Sequence, residues 1–292
     1  MSLVTASPSA LGTFVSNPSV DIEALVKSKL PPLNSTVLKI SELLRDINVS
    51  TRKLAEVIGC DPFLAARVIK MANSAAYSRK KPVISIQQAI DSIGLKALYD
   101  IVMLNSVADG FAREIGHSVY GRMVWQHSVA VGLLSRELSV ILDMRGAEES
   151  FLCGLLHDIG KILLLKSKTE LFESIAGKQT ESEMLKAEEH IFGLNHSEVG
   201  AYVSYKWQLP EVVCGVIMYH HNPAAATIST VITHIVNAAD LIANVNGYGL
   251  RLEEETALQY SPSISYLKLH RDQINMAWET IQRSLKEIIT AF

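Results

Sequence analysis

From about residue 20 onward the chain repeats apolar residues at spacings of three and four, and no stretch shows the apolar–polar alternation of a half-buried strand. That pattern leaves little but helices to build with. The last segment, DQINMAWETIQRSLKEIITAF, sets Ile274, Trp278, Ile281, Leu285 and Ile288 on one stripe. FLAARVIKMANSA carries Leu64, Val68 and Met71 at the same spacing. The punctuation agrees with the period. Asp61-Pro62 reads as an N-cap followed by proline at the first helical position, and Pro210 opens EVVCGVIMYHH in the same way. Ser85, with Gln88 three residues on, is a capping-box signature at the start of SIQQAIDSIGLKALYDIVML. The expected fold class is all-α.

The chain has 292 residues, 48% hydrophobic and 20% charged, which gives ample core for one large or two smaller globular units. Residues 1–19, rich in Ser, Thr and Pro, read as a loose tail. ADGFAREIGHSVYG, residues 108–121, loses apolar periodicity, so the expected division is a helical subdomain over 20–115 and a second helical half over 116–292 that includes the C-terminal helix. A net charge of −3 excludes a generally nucleic-acid-binding surface but not a local basic patch. Cys60, Cys153 and Cys214 form no CxxC pair and read as free thiols of a reducing compartment. With no run of about 18 apolar residues and no basic, then apolar, leader, the sequence points to a cytoplasmic protein with no membrane partner.

The chemistry concentrates in the second half. Residues 1–116 contain no histidine, whereas eight of the nine lie in 117–234. FLCGLLHDIGKILLL, residues 151–165, sets His157, Asp158 and Lys161 into an apolar run. Buried charges need partners or a ligand, so this run asks for one. Read as one continuous helix, adjacent side chains diverge by about 100°, so His157 and Asp158 share a ligand only beside a cavity. Lys161 falls on their shared side, where it either pairs with Asp158 or meets an anion. Further imidazoles and a carboxylate stand in VWQHSVAVG (His127), LNHSEVGAYV (His196), IMYHHNP (His220, His221) and VNAADLIA (Asp240). Singly, each has a structural explanation as a hydrogen-bonded core histidine, a cap or an ion-pair partner. Together they offer the nitrogen and carboxylate oxygen that suit divalent first-row metals.

The H…HDIGK…H…HH…D series resembles the HD superfamily of metal-dependent phosphohydrolases. More closely, the chain is similar to the HDOD family, the HD-related output domains of bacterial signalling proteins. The match is carried in order by LPPL (30–33), DPFLAARVIKMANSAAY (61–77), PVISIQQAIDSIGLKAL (82–98), FLCGLLHDIGKILL and HSEVGAYVSYKWQLPEVVCGVIMYHH (196–221), which together span about two-thirds of the chain. The resemblance implies an N-terminal helical subdomain packed on an HD-type bundle. It also implies a ligand set: His127, His157, Asp158 and Asp240 for one metal, with Asp158 bridging to a second held by His196, His220 and His221. Lys161 matches the lysine that faces substrate phosphate in the HD-GYP branch, which makes Lys161 and Asp158 the candidate catalytic pair. One or two divalent transition-metal ions are expected, iron or manganese ranked above zinc. His117, His190, His234 and His270 match no ligand position and read as structural or surface residues.

The departures shape the expected function. After His221 the text runs NPAAATISTVITH, without the DG…GYP segment that forms the cyclic-dinucleotide site of HD-GYP enzymes, and Met123 stands where some trinuclear members carry a glutamate. HDOD proteins as a family have no general catalytic activity. The expectation is therefore a cytoplasmic signalling or regulatory module, acting through a signalling protein or a small phosphorylated nucleotide. A metal-dependent phosphohydrolase or phosphodiesterase is the first alternative and a nucleic-acid-binding regulator the weaker one. No receiver, GGDEF or EAL segment is recognisable, as expected of a stand-alone HDOD protein. Between Asn34 and Pro82 nine Lys or Arg face four acids, and STRKLAEVIGCDPFLAARVIKMANSA mimics a helix-turn-helix with its turn near Gly59. The resemblance favours a helical lid there over a duplex reader, and nucleic acid is not an expected partner. Arg79, Lys80 and Lys81 remain a patch without an assigned role.

Overall fold

The computed structural model describes Ile40, Leu43 and residues 49–59, 62–74, 83–115, 118–177, 180–206, 209–251 and 253–291. The tail, LPPL, Cys60, Asp61, Arg79, Lys80, Lys81, Pro82, His117 and Trp207 lie outside these. Among the described residues there are helices, turns and no strand. None of those helices is long and apolar enough to cross a membrane.

The described residues divide into two compact units, one comprising those from 40 to 115 together with 275–291, the other those from 118 to 274. In the first, α1 (Thr51–Gly59) and α2 (Pro62–Ala72) pack on α3 (Ile86–Ile115). Leu54 and Ile58 of α1, Leu64, Val68 and Met71 of α2, and Ile90, Leu98 and Ile101 of α3 form the core, as their spacing requires. Asn73 holds the entry to α3: its Oδ1 accepts from Val83 N and its Nδ2 donates to Val83 O, both at 2.8 Å. The Ser85 hydroxyl accepts from Gln88 N at 3.2 Å, but Gln88 reaches back one residue further than a capping box would, to Ile84 N. At Gly94 the backbone turns to φ 80°, ψ 168° and breaks α3, a conformation open to glycine that the unbroken apolar period does not announce.

The weakly periodic stretch is helical up to Ile115, and the next helix begins at Val119. The last helix, α14 (Arg271–Ala291), contributes residues 275–291 to the first unit rather than belonging wholly to the second half. An amphipathic stripe states that a helix has a buried face but not which partner buries it. On that stripe Ala277, Ile281, Leu285 and Ile288 are buried, while Trp278 is half-exposed.

In the second unit, α4 (Val119–Ile141) packs on α5 (Ala147–Leu156) and on α11 (Thr230–Val245). Next come α6 (Ile159–Ser167), α7 (Thr169–Ile175), α8 (Glu181–Phe192), α9 (His196–Lys206) and α10 (Glu211–Tyr219), with Pro210 as the N-cap of α10. A 3₁₀ turn over Pro223–Ala225 leads to α11, and two short helices, α12 (Ala257–Tyr260) and α13 (Pro262–Tyr266), follow it. Helices α6 and α9 meet backbone to backbone. A Cβ on Gly160 would run into the His196 carbonyl, and one on Gly200 would lie 3.1 Å from Gly160 N. Both ends of α8 and the start of α9 are fixed chemically. Thr180 and Glu183 form a reciprocal capping box, Gly193 closes α8 in the left-handed region, and Asn195 caps α9, its Oδ1 accepting from Glu198 N.

Candidate metal centre

The FLCGLLHDIGKILLL run is not one helix. Helix α5 ends at Leu156 and α6 begins at Ile159, with Asp158 at φ −100°, ψ 14° between them. The break lets His157 and Asp158 address one centre, which side chains 100° apart on a helix would do poorly. His157, just past the end of α5, folds its Nδ1 back to Gly154 O at 2.7 Å. His220, just past the end of α10, does the same to Ile217 O at 2.7 Å. Each satisfies a carbonyl that the helix end leaves without a partner. His127 on α4 donates from Nδ1 to Tyr248 O at 2.6 Å. His196, the first residue of α9, meets Glu188 Oε2 through Nδ1 at 2.7 Å and through its peptide N–H at 2.9 Å. His221 lies with Nδ1 against Glu181.

Carbonyls and carboxylates only accept, so His127, His157, His196 and His220 each donate from Nδ1, which leaves Nε2 to face the centre. These Nε2 atoms converge on Asp158. Its Oδ2 is 3.4 Å from His157 and 3.7 Å from His127, and its Oδ1 is 3.3 Å from His196 and 3.6 Å from His220. His127 Nε2 also lies 3.0 Å from Asp240 Oδ1. Among the described residues the candidate ligating atoms form three groups: Asp158 with His127 and His157, Asp158 with His196, His220 and His221, and Asp240 with Glu181 and His221. All seven expected ligand residues therefore come together, and Asp158 offers one oxygen to each side.

The surroundings fit cations. His157 Nε2, His220 Nε2 and Asp158 Oδ1 are buried without a hydrogen-bond partner. His196 Nε2 and His221 Nε2 face each other at 2.8 Å, a separation that suits a shared proton or a cation ligated by both rings. Burial pushes the Asp158 carboxyl up, but His157 and Lys161 outweigh it and hold the group well below the usual carboxylate range. Asp240 is likewise held low against its burial, chiefly by His127. Burial, then His220, His196 and Lys161, keep His221 far toward the neutral ring that ligation needs. Lys161 Nζ donates to Asp158 Oδ2 at 2.6 Å, and despite burial the carboxylates raise its pKa. A hollow of about 20 Å³ between Asp158, Lys161, Asp240 and Arg251 has room for one water-sized occupant.

Several participants carried no sequence signal. Glu188 is fully buried, and Glu181 and Arg251 pair at 2.5 Å beside His221. Asn244 Nδ2 donates to Asp240 Oδ1 at 2.8 Å, and Asn237 Nδ2 to His220 O at 2.8 Å. Glu188 is one of three closely spaced acids in KAEEH and SEM, and only its contact with His196 singles it out. Of the histidines without a ligand position, His190 and His270 are exposed and His234 is buried. Cys153 and Cys214 are free, and burial raises both thiols, Cys214 to about 11.

The family model of the HDOD domain matches residues 30–223. The chain belongs to the HDOD family. An HDOD domain protein of unknown function from Geobacter sulfurreducens has the same fold, with a TM-score of 0.74 and 26% identity over 92% of this chain and 96% of that one. A protein of Marinobacter aquaeolei VT8, provisionally named for signal transduction, shares the fold at a TM-score of 0.67 and 22% identity, over 97% of this chain and 63% of the other. An uncharacterized protein of Treponema pallidum (strain Nichols) is 26% identical over 199 residues, 66% of this chain. The HDOD chain spans 38% of the length of that curated relative.

Proposed function

We propose that this HDOD protein is a cytoplasmic signalling module whose second unit holds one or two divalent transition-metal ions, iron or manganese before zinc. The reading rests on one observation: five imidazoles meet the buried carboxylates of Asp158 and Asp240, and His157 Nε2, His220 Nε2 and Asp158 Oδ1 are buried there without a hydrogen-bond partner. His127, His157, Asp158 and Asp240 would hold one ion, and Asp158, His196, His220 and His221 the other. Protein purified without chelator should contain one to two such ions per chain by plasma mass spectrometry. Alanine at His157 or His196 should remove one of them. A metal-free preparation that takes up no iron, manganese or zinc on reconstitution would sink the reading.

A second reading, hydrolysis of a small phosphorylated molecule such as a nucleotide, draws support from Lys161 and from a cleft of about 440 Å³ that shares His221, Asp240 and Arg251 with the ligand cluster. Bound ions would supply Lewis acidity toward water and a phosphoryl group. Lys161 now occupies Asp158 Oδ2, and ligation of that oxygen would leave its ammonium for a phosphate. Turnover of a nucleotide panel by the wild type, lost in Lys161→Met with metal content intact, would rank the enzyme above the module. Failure of every nucleotide to turn over, with partner binding retained in Lys161→Met, leaves the module first.

A further inference from the structure

His234 matches no expected ligand position, yet a network of hydrogen bonds fixes its state. His220 O accepts from Asn237 Nδ2 at 2.8 Å, which sets the orientation of that amide. Asn237 Oδ1 can therefore only accept, and it takes the hydroxyl proton of Ser263 at 2.7 Å. Having given its one proton, Ser263 Oγ must accept from His234 Nδ1 at 2.9 Å. The proton of His234 is thus on Nδ1, and Nε2 is a lone pair with no hydrogen-bond partner among the described residues. The residue is only 5% exposed, its ring is stacked on Tyr266 at 3.9 Å between centroids and 15° between planes, and it lines the 440 Å³ cleft. Burial lowers its pKa, which favours the neutral acceptor.

The same cleft is rich in acceptors and poor in flat apolar surface. Glu181 and Glu253 both line it, held to Arg251 at 2.5 and 2.7 Å. No Phe, Tyr or Trp is among the described residues that line it, and one face of the His234 ring is covered by Tyr266, so a nucleobase finds little flat surface there. Its volume is in the lower part of the roughly 300–1,000 Å³ range of small-molecule sites. Glu181, Glu253 and Asp240 outnumber Arg251, so an anion needs metal charge before it can enter.

We propose that this cleft takes the polyhydroxylated part of a small sugar phosphate, with a ligand hydroxyl donating to His234 Nε2 and the phosphate directed to the ions at His221 and Asp240. The proposal rests on the metal reading given above. His234 is a binding residue here, and its lone pair selects a hydroxyl donor.

The test is calorimetric titration of the metal-reconstituted full chain with inorganic phosphate, ribose 5-phosphate and AMP. Ribose 5-phosphate should bind at least tenfold more tightly than phosphate, and AMP no more than threefold more tightly than ribose 5-phosphate. His234→Phe keeps a ring on Tyr266 but removes the acceptor. It should bring ribose 5-phosphate within threefold of phosphate, with phosphate affinity and metal content unchanged. The proposal is overturned if ribose 5-phosphate and phosphate bind the wild type equally, if AMP gains tenfold over ribose 5-phosphate, or if His234→Phe retains the full gain. If that variant does not fold, the wild-type affinities alone decide. Metal uptake with phosphate binding but no ribose gain defeats this proposal and spares the metal reading; no metal uptake defeats both.

Discussion

The two sides of the ligand cluster are alike within and different behind. Each receives one oxygen of Asp158, and each presents histidines through Nε2. On one side His127 and His157 lean on the peptide carbonyls of Tyr248 and Gly154. On the other, His196 and His221 are backed by the carboxylates of Glu188 and Glu181, and only His220 uses a carbonyl. A carbonyl fixes the tautomer; a carboxylate also adds charge and makes the ring a stronger base. The carboxylate-backed side should therefore hold its ion more tightly. It is also the side whose backing partner one substitution can remove, since a peptide carbonyl cannot be mutated away.

The comparison breaks most completely at the residue both sides share. Asp158→Ala should abolish binding of both ions and leave the Lys161 ammonium without its buried partner. In metal-free protein the cost should be about 3–5 kcal/mol, read by urea denaturation in chelator. An unchanged denaturation midpoint would mean that Asp158 is solvated. The same pair sets the pH dependence of the metal-free chain. Asp158 is held below its usual pKa, so its contribution is present above the unfolded value of about 3.9 and fades as pH falls further. Lys161 is held above its usual value, so its contribution is present below about 10.4 and is lost as pH rises through the folded pKa. Melting temperature should drop at both edges, and Lys161→Met should flatten the alkaline one.

A sharper contrast comes from Glu188→Gln. Metal affinity on the carboxylate-backed side should fall about 10- to 100-fold while the other side is unchanged, as read by competition against a fluorescent chelator. Equal weakening of both ions would show that the two sides do not act separately. Gly160→Ala pushes a methyl into the His196 carbonyl and should cost about 1–3 kcal/mol by chemical denaturation, with the His196 ion loosened first. The smallest effect is expected from Thr180→Ala. It removes the cap of the helix that carries Glu181 and Glu188, for about 1 kcal/mol of thermal stability and a slight loss on the same side.

Much of this was legible in the residues because periodicity reports burial directly. The stripes of Leu64, Val68 and Met71 and of Ile281, Leu285 and Ile288 are buried where their spacing puts them. The seven residues that meet around Asp158 were picked out through family order, since imidazole and carboxylate in sequence are distinctive even when far apart. What stayed hidden is tertiary. The break at Asp158 lies in an unbroken apolar run whose hydropathy does not distinguish one helix from two. Glu188 looks like any acid on a solvated helix face until α8 and α9 fold together. The carbonyls of Tyr248, Gly154 and Ile217 have no residue identity that a pattern could detect. The C-terminal stripe was visible and its partner was not, because amphipathicity carries no address.

Gly160 and Gly200 bring the peptides of α6 and α9 into direct contact, with the Ile159 and Ile217 methyls packed beside Gly200. Interfaces padded by side chains creep: rotamers hop, packing loosens on warming, and successive substitutions shift the spacing a little at a time. A contact between peptide planes has no such slack. The distance from Asp158, just before α6, to His196, at the start of α9, should behave as a fixed gauge. It should stay constant with temperature and across variants of the surrounding core, and fail abruptly when either glycine gains a carbon.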